Sequence, residues 1–301
     1  MNDKKKLIVI AGPTAVGKTD LAIKLATYLN CDIISADSRQ LYKEINIGTA
    51  KPSLEERRKV RHYFIDYKSI HEYYSAGRFE VDVGDLLRDY EKNYILLVGG
   101  SGLYVKAVCE GIDEMPGPDL NLRKSLQRRF EENGLEDLTE ELKIMDPDSW
   151  NALDLQNPKR VIRALEIVHQ TGKKFSELKV RKKQSRNFDI LKIGLHMPRE
   201  VLFNRINARV DKMIDQGLLE EVRSLWSWRK LTALETVGYT EFLNHLKGDY
   251  DFQEAVRLCK RNTRRYAKRQ LTWFRKDKDI HWHSPEDYHT IIRRIKDFIS
   301  S

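Results

Sequence analysis

Cysteine is scarce in this sequence. Cys31, Cys109 and Cys259 are the only three in 301 residues, far apart and with no CxxC pair. They cannot build a metal knuckle by themselves, and their rarity points to a reducing compartment. Long apolar runs are missing too. The amino-terminal "MNDKKKLIVIAG" has a basic start, but its apolar run covers only about six residues before Gly12-Pro13. That is too short for a signal-peptide core, and no stretch approaches the ~20 apolar residues of a membrane span. The run reads as a buried strand, and a cytoplasmic chain with no membrane partner is expected. Internal repeats and low-complexity segments are also absent.

What is present is an ordinary globular composition, 33% charged and 41% hydrophobic, with material for one large domain or two smaller ones. Lys and Arg outnumber Asp and Glu by 54 to 45, a net charge of +9. Such an excess favours an anionic partner: nucleic acid, a phosphorylated metabolite or an acidic membrane.

Strand and helix patterns alternate over the first hundred residues. "LIVIAG" (7–12), "CDIISAD" (31–37) and "NYILLVGG" (93–100) are β runs, and "TDLAIKLATYL" (19–29) has helical spacing. The last β run is apolar on both faces, as central parallel strands are. The pattern predicts an α/β fold, a P-loop-type parallel sheet flanked by helices. "DEMPGPD" (113–119) interrupts it, and the helical stretch that follows includes "NPKRVIRALEIVHQTG" (157–172), with Asn157 as N-cap, Pro158 at the first helical position and Gly172 past the end. "RKKQSRNF" (181–188) reads as a polar linker, and "ILKIGLHM" (190–197) resumes the sheet. Residues 1–118 and 187–301 are therefore expected to form the core, and 119–186 an inserted all-helical domain. Leu202, Ile206, Val210, Ile214, Leu218 and Val222 predict one long helix with a single buried stripe.

The chemistry starts at "GPTAVGKT". Gly12, Pro13, Thr14, Ala15, Val16, Gly17, Lys18 and Thr19 match GxxxxGK[ST] between a strand and a helix. The glycines let backbone N–H groups converge on phosphate oxygens at a helix N-terminus, and Lys18 adds a point charge. The Thr19 hydroxyl is placed to ligate Mg²⁺. The motif says polyphosphate and does not say kinase. The strand "YILLVGG" ends in Gly-Gly rather than in the Asp that usually completes a nucleotide-hydrolysing Mg²⁺ site. A carboxylate stands instead at the end of the second strand, in "SADSRQLY". Asp37 lies where open α/β sheets form their ligand crevice. It serves there as a Mg²⁺ ligand, as a base for an attacking nucleophile, or simply as a turn residue.

"GPTAVGKT" (12–19), "SADSRQLY" (35–42), "IGTAKP" (47–52), "GGSGLY" (99–104), "RALE" followed by "TG" (163–172), "VGY" (237–239) and "AKRQLTWFR" (267–275) occur in this order. Together they resemble the bacterial tRNA dimethylallyltransferases, also called tRNA isopentenyltransferases, over nearly the whole chain. One departure is Ser101, where the family usually has Thr; the hydroxyl is kept. The resemblance implies transfer of a dimethylallyl group from dimethylallyl diphosphate to N6 of the adenosine 3′-adjacent to the anticodon, with Mg²⁺ on Thr19 neutralising the departing diphosphate. It implies Asp37 as the group that takes the N6 proton, and tRNA contact by Asp37, Ser38, Arg39 and Gln40. It places an arginine of the 205–209 stretch on the diphosphate. Arg205 and Arg209 lie one turn apart, and Arg209 is preferred. Ser101 is expected to touch the diphosphate or the target nucleotide, unless it simply caps a helix. Arg123 and the stretch Lys159, Arg160, Val161, Ile162, Arg163 are implied to contact the anticodon stem-loop, and the family suggests a monomer.

The segment 256–278 carries ten basic residues against Asp277 alone, with Tyr266, Trp273 and Phe274 interleaved. Basic side chains bind phosphates while aromatics stack on bases or pack the helix. Competing readings are a small-molecule kinase, an isopentenyltransferase for free adenine nucleotides, and an RNA-binding module with a vestigial nucleotide site. A kinase has no need of such a basic carboxyl-terminal third, the inserted domain argues against the free-nucleotide enzyme, and intact Lys18, Thr19 and Asp37 argue against the vestigial site.

Overall fold

The structure, a computed structural model, describes residues 4–180 and 184–301. In chain order it contains β1 (Lys5–Ala11), α1 (Lys18–Leu29), β2 (Asp32–Ser35), α2 (Leu54–Lys59), β3 (His62–Tyr63), α3 (Ala76–Asp89), β4 (Tyr94–Gly99) and α4 (Gly102–Glu110). Then come α5 (Leu120–Met145), α6 (Pro147–Ala152), α7 (Pro158–Thr171) and α8 (Phe175–Leu178). Last are β5 (Phe188–Leu195), α9 (Arg199–Asp215), α10 (Leu218–Ser224), α11 (Thr240–Lys247), α12 (Phe252–Phe274), β6 (Ile280–His283) and α13 (Tyr288–Ser300).

The chain divides into two compact units, Met1–Glu110 with Ser185–Ser301, and Gly111–Gln184. The first is an α/β layer around a six-stranded, all-parallel sheet of order β3-β2-β4-β1-β5-β6. Leu7 to Ala11 of β1 are fully buried, because the strand lies inside the sheet with both faces covered. One face packs on Leu21 and Leu25 of α1, Leu202 and Ile206 of α9, and Ile291 and Ile295 of α13. The two outermost strands, β3 and β6, span two and four residues, too short to register as β runs in the sequence.

The long helix expected over 202–222 is two helices. Gly217, at φ +93, ends the run after Asp215, and Met213 takes the buried place expected of Ile214.

The second unit is helical. Its core joins Leu126, Leu138 and Leu142 of α5 to Val161, Ile162, Ala164 and Leu165 of α7, and α5 kinks at Gly134. Asp146 is fully buried and accepts hydrogen bonds from the backbone N–H and hydroxyl of both Ser149 and Ser176, which ties α6 to α8. Its near boundary falls at Gly111 rather than after Pro118, for a visible reason. Arg163 donates to the Pro116 carbonyl (2.6 Å) and Gln170 to that of Gly117 (3.1 Å), so the Pro-Gly stretch packs with the helices. Helix α7 starts at Pro158 and stops at Gly172 as expected, but Asn157 caps it without a side-chain bond. Within the linker reading, Arg181, Lys182 and Lys183 lie outside the described residues.

Candidate active site

The loop from Gly12 to Thr19 leaves the carboxyl end of β1 and turns into α1. Gly17 adopts φ +104, a conformation side chains resist, and Ala15 holds φ +64 without being glycine, strain of the kind found at ligand clamps. The loop is braced from behind. The buried Gln270 of α12 accepts from the Thr14 backbone N–H (2.8 Å) and donates to the Gly100 carbonyl (2.9 Å). The "GGSG" run makes this possible. A Cβ on Gly99 would stand 2.1 Å from the Ala36 carbonyl oxygen, one on Gly100 2.2 Å from Gln270 Nε2, and one on Gly102 2.1 Å from the Trp273 ring.

Lys18 folds back onto its own loop, donating to the carbonyls of Gly12 (2.9 Å) and Pro13 (2.7 Å). Burial, aided by the nearby Arg209 cation and opposed by Asp37, pulls its ammonium down to about 7. Arg209 is also held below the usual guanidinium range, first by burial, with Asp37 opposing and Arg205 adding to the effect. Lys18, Lys51, Arg205 and Arg209 line the site together with Asp20, Asp37 and Glu56, and the crowding of Lys18, Arg205 and Arg209 makes the phosphate-loop end an anion receptor.

Asp37 follows β2. Its Oδ1 accepts from the backbone N–H of Arg39 (2.9 Å) and, more weakly, of Gln40 (3.3 Å). The turn role weighed from sequence is therefore real, and it coexists with exposure to the cavity. The cavity encloses about 320 Å³ and brings together Thr14, Lys18, Thr19, Asp37, Arg205 and Arg209. Both arginines line it. Of the two, Arg209 also borders a second, smaller space of about 90 Å³, which shares Thr14, Asp37, Thr49 and Tyr266 with the first; Ile206, Val210, Met213, Val237 and Cys259 are its apolar wall, and Arg39, Thr236 and Thr263 its polar side.

Ser101 points its hydroxyl at Ser38, whose backbone N–H it accepts at 2.9 Å, and it also bonds Tyr266. Its carbonyl accepts from Tyr104 and Val105 at the start of α4. Ser101 is thus a hinge pin between the Asp37 turn, α4 and α12. Burial and then Asp37 push the Tyr266 phenol up to about 12, so it stays neutral as a hydrogen-bond partner at the junction of the two spaces. Gln40 turns inward: its amide nitrogen donates to the carbonyls of Thr49 and Ala50, both at 3.2 Å. Arg39 donates to the carbonyls of Thr232 (3.2 Å) and Glu235 (3.3 Å) at the surface.

The "IGTAKP" segment borders the cavity through Thr49, Ala50, Lys51 and Pro52. Its Lys51 donates to Asp66 (2.6 Å) and Asn46 (2.8 Å), and the position of the segment is set by Glu221 of α10. One carboxylate oxygen accepts from the N–H groups of Asn46 (3.0 Å) and Ile47 (2.9 Å); the other accepts from Gly48 N–H (3.2 Å) and the Tyr239 hydroxyl (2.5 Å). Tyr239, fully buried, lies so close to Gly48 that a Cβ there would meet its ring at 2.5 Å. This explains the "VGY" motif. Glu221→Gln should leave an amide NH₂ facing donors. The expected result is a donor KM raised about tenfold and a stability loss of ~1–3 kcal/mol, the cost of an unsatisfied polar contact. A donor titration and a thermal melt of the same variant check both.

In the helical unit the expected RNA-binding set splits. Val161 (0% exposed) and Ile162 (5%) are core residues, so their side chains have no surface to offer RNA. Arg123 and Arg163 converge on the fully buried Glu166, at 2.7 and 2.9 Å. "RALE" thus encodes an ion cluster that positions two guanidinium groups. Lys159 and Arg160 are exposed on the first turn of α7.

Helix α12 carries the basic run. Ala255, Cys259, Ala267, Gln270 and Phe274 form its buried stripe, while Arg265, Lys268, Arg269, Arg275, Lys276 and Lys278, in and just after the helix, are exposed. Four other cations are engaged: Arg257 with Glu254, Lys260 with Asp211, Arg261 with Asn262, and Arg264 with Asn207. Gln270 and Glu221 were not anticipated from sequence. Gln270 has one signal, an uncharged amide among cations at helical spacing with Ala267 and Phe274. Glu221 has none, since its partners are backbone groups far away in sequence.

Among the described residues no cluster of three or more His, Cys, Asp or Glu side chains could hold a metal, and no helix is long and apolar enough to cross a membrane. Mg²⁺ needs no such cluster. It keeps several waters and takes one or two protein oxygens besides phosphate oxygens. The Thr19 hydroxyl, on the cavity wall, is a donor of that kind.

Residues 40–277 match the family model described as IPP transferase. The tRNA dimethylallyltransferase of Cytophaga hutchinsonii is 48% identical over 299 residues, covering 99% of this chain and 97% of the relative. The tRNA dimethylallyltransferase 1 of Bacteroides fragilis is 45% identical, covering 97% and 98%. Among solved structures, the tRNA isopentenylpyrophosphate transferase of Bacillus halodurans aligns with a TM-score of 0.71 at 38% identity, over 99% of this chain and 96% of that one. A eukaryotic dimethylallyltransferase described as acting on tRNA aligns at 0.79 and 30% identity, over 98% and 80%.

Proposed function

This chain belongs to the IPP transferase family, and from that membership we propose that it transfers a dimethylallyl group from dimethylallyl diphosphate to N6 of the adenosine 3′-adjacent to the anticodon in tRNA. The observation that carries this reading is the meeting, at Asp37 and Arg209, of a cationic cavity and a small apolar annex. A diphosphate suits the first and a branched five-carbon group the second. A kinase has no use for the annex.

The chemistry follows. Backbone N–H groups of Ala15 to Thr19, with Lys18, Arg205 and Arg209, hold the diphosphate. Its C1 then sits at the junction, beside Asp37. The adenine amino group is a weak nucleophile, because its lone pair is delocalised into the ring. As the N6–C1 bond forms, the C1–O bond breaks, the N6 proton passes to the Asp37 carboxylate, and diphosphate leaves with the bonding electrons. The Thr19 hydroxyl would hold Mg²⁺, which when bound would neutralise charge on the leaving group. Asp37, Ser38, Arg39, Gln40 and Ser101 form the rim that receives the adenosine, swung out of a single-stranded loop at small cost. Gln40 serves by bracing the rim. The exposed cations of α12 and its extension, with Arg123, Lys159, Arg160 and Arg163, take up phosphates of the anticodon stem-loop. A tRNA substrate supports a cytoplasmic location, and the family resemblance suggests a monomer.

The test is direct. Labelled dimethylallyl diphosphate is offered with Mg²⁺ and unmodified tRNA, then with AMP, and ATP is offered with candidate alcohols. Label is expected in tRNA, at the adenosine beside the anticodon. Label in AMP alone, phosphorylated alcohol, or no label in tRNA at any Mg²⁺ concentration overturns the reading.

A further inference from the structure

The annex is small enough to choose between donors. It holds about 90 Å³, whereas an apolar cavity of about 150 Å³ takes up a benzene ring. There is room for a branched five-carbon group and not for a ten-carbon one. Its mouth is marked by Thr14, Asp37, Arg209 and Tyr266, which it shares with the larger cavity. Its depth follows from two helices. On α9, Met213 stands one turn, about 6 Å, beyond Arg209; on α12, Cys259 stands two turns, about 10 Å, from Tyr266. Of the annex residues on these helices, these two lie farthest along the axis from the mouth. Both are held by the core, with exposures of 9% and 1%, so neither swings aside cheaply.

We propose that Met213 and Cys259 form the end wall of the hydrocarbon site and restrict this chain to five-carbon allylic diphosphates. The proposal rests on the transfer reading above and adds to it which residues set the length of the transferred group. A ten-carbon donor would carry the same diphosphate and the same allylic C1, and its transfer would balance identically: N6–C1 forms, C1–O breaks, the proton goes to Asp37. Only the tail beyond the fifth carbon meets the wall.

The experiment uses the full chain and unmodified tRNA with dimethylallyl and geranyl diphosphates in competition, the products being read by mass after nuclease digestion. In Met213→Ala, and less strongly in Met213→Val and Cys259→Ala, the ratio of geranyl to dimethylallyl kcat/KM should rise tenfold or more, since each methylene accommodated or refused in an apolar pocket is worth about 10–200-fold. Cys259→Phe, which fills the annex, should raise the dimethylallyl diphosphate KM about tenfold or more while inorganic diphosphate inhibits as in the wild type. If Met213→Ala does not fold, Met213→Val and Cys259→Ala carry the same comparison. A donor ratio within twofold of wild type in the folded variants, or normal dimethylallyl transfer by Cys259→Phe, overturns the proposal. Failure of the wild type to transfer dimethylallyl at all would instead overturn the function reading, and this one with it.

Discussion

Asp37→Asn should lower turnover by ~10²–10⁴, the usual worth of a positioned base, while tRNA affinity changes less than about threefold. The asparagine variant is the informative one because Asp37 has two jobs. Its Oδ1 holds the Arg39 and Gln40 N–H groups, and an amide oxygen can accept the same two bonds. What the amide cannot do is take up a proton from N6. Asp37→Ala loses both roles, and should add a stability cost of ~0.5–2 kcal/mol, as other lost side-chain caps of backbone N–H groups do. Single-turnover rates with saturating tRNA separate the cases. Full activity in Asp37→Asn would remove the base from the mechanism and leave only the turn.

The chemistry of this site was more legible than its scaffolding. The phosphate loop and Asp37 are local patterns whose meaning follows from standing at the carboxyl ends of consecutive β runs, and the parallel sheet, with β4 between their strands, puts them on one cavity. The arginine pair was legible as a pair, because residues four apart share a helix face; that both line the cavity depends on how α9 packs. The supports were not legible. Glu221 works through backbone N–H groups some 170 residues away in sequence, and no side-chain pattern encodes backbone partners. The opposite failure occurred in "KRVIR". The resemblance implied one RNA-binding stretch, but helical periodicity buries Val161 and Ile162, and Glu166 holds Arg163. A four-residue hydrophobic step likewise overran Gly217, whose positive φ stops the helix.

Lys18→Met should cut kcat/KM for the donor by ~10²–10³, the cost of removing one preorganised cation or donor from a developing anion, and should also make the protein more stable. The two signs follow from one observation. Burial, with Arg209, holds the Lys18 ammonium at about 7 in the ligand-free protein. In the unfolded chain it titrates near the ordinary lysine value of about 10.5, so the fold favours the neutral amine. The charge therefore weighs against folding fully below about pH 7, and that burden fades as pH climbs toward 10.5. Removing the group should raise Tm at about pH 6 and do little at about pH 10. Donor binding runs the other way. A bound diphosphate favours the ammonium, which is already present below about pH 7. Above it, binding must take up a proton, so the wild-type donor KM should be flat at low pH and climb toward tenfold per pH unit above 7. The methionine variant should show no such slope. Melts at about pH 6 and pH 10, beside donor KM profiles of both proteins, test the account. A merely structural lysine would lose activity and stability together, and a variant that melts lower than wild type at about pH 6 would place Lys18 in the scaffold instead of on the leaving group.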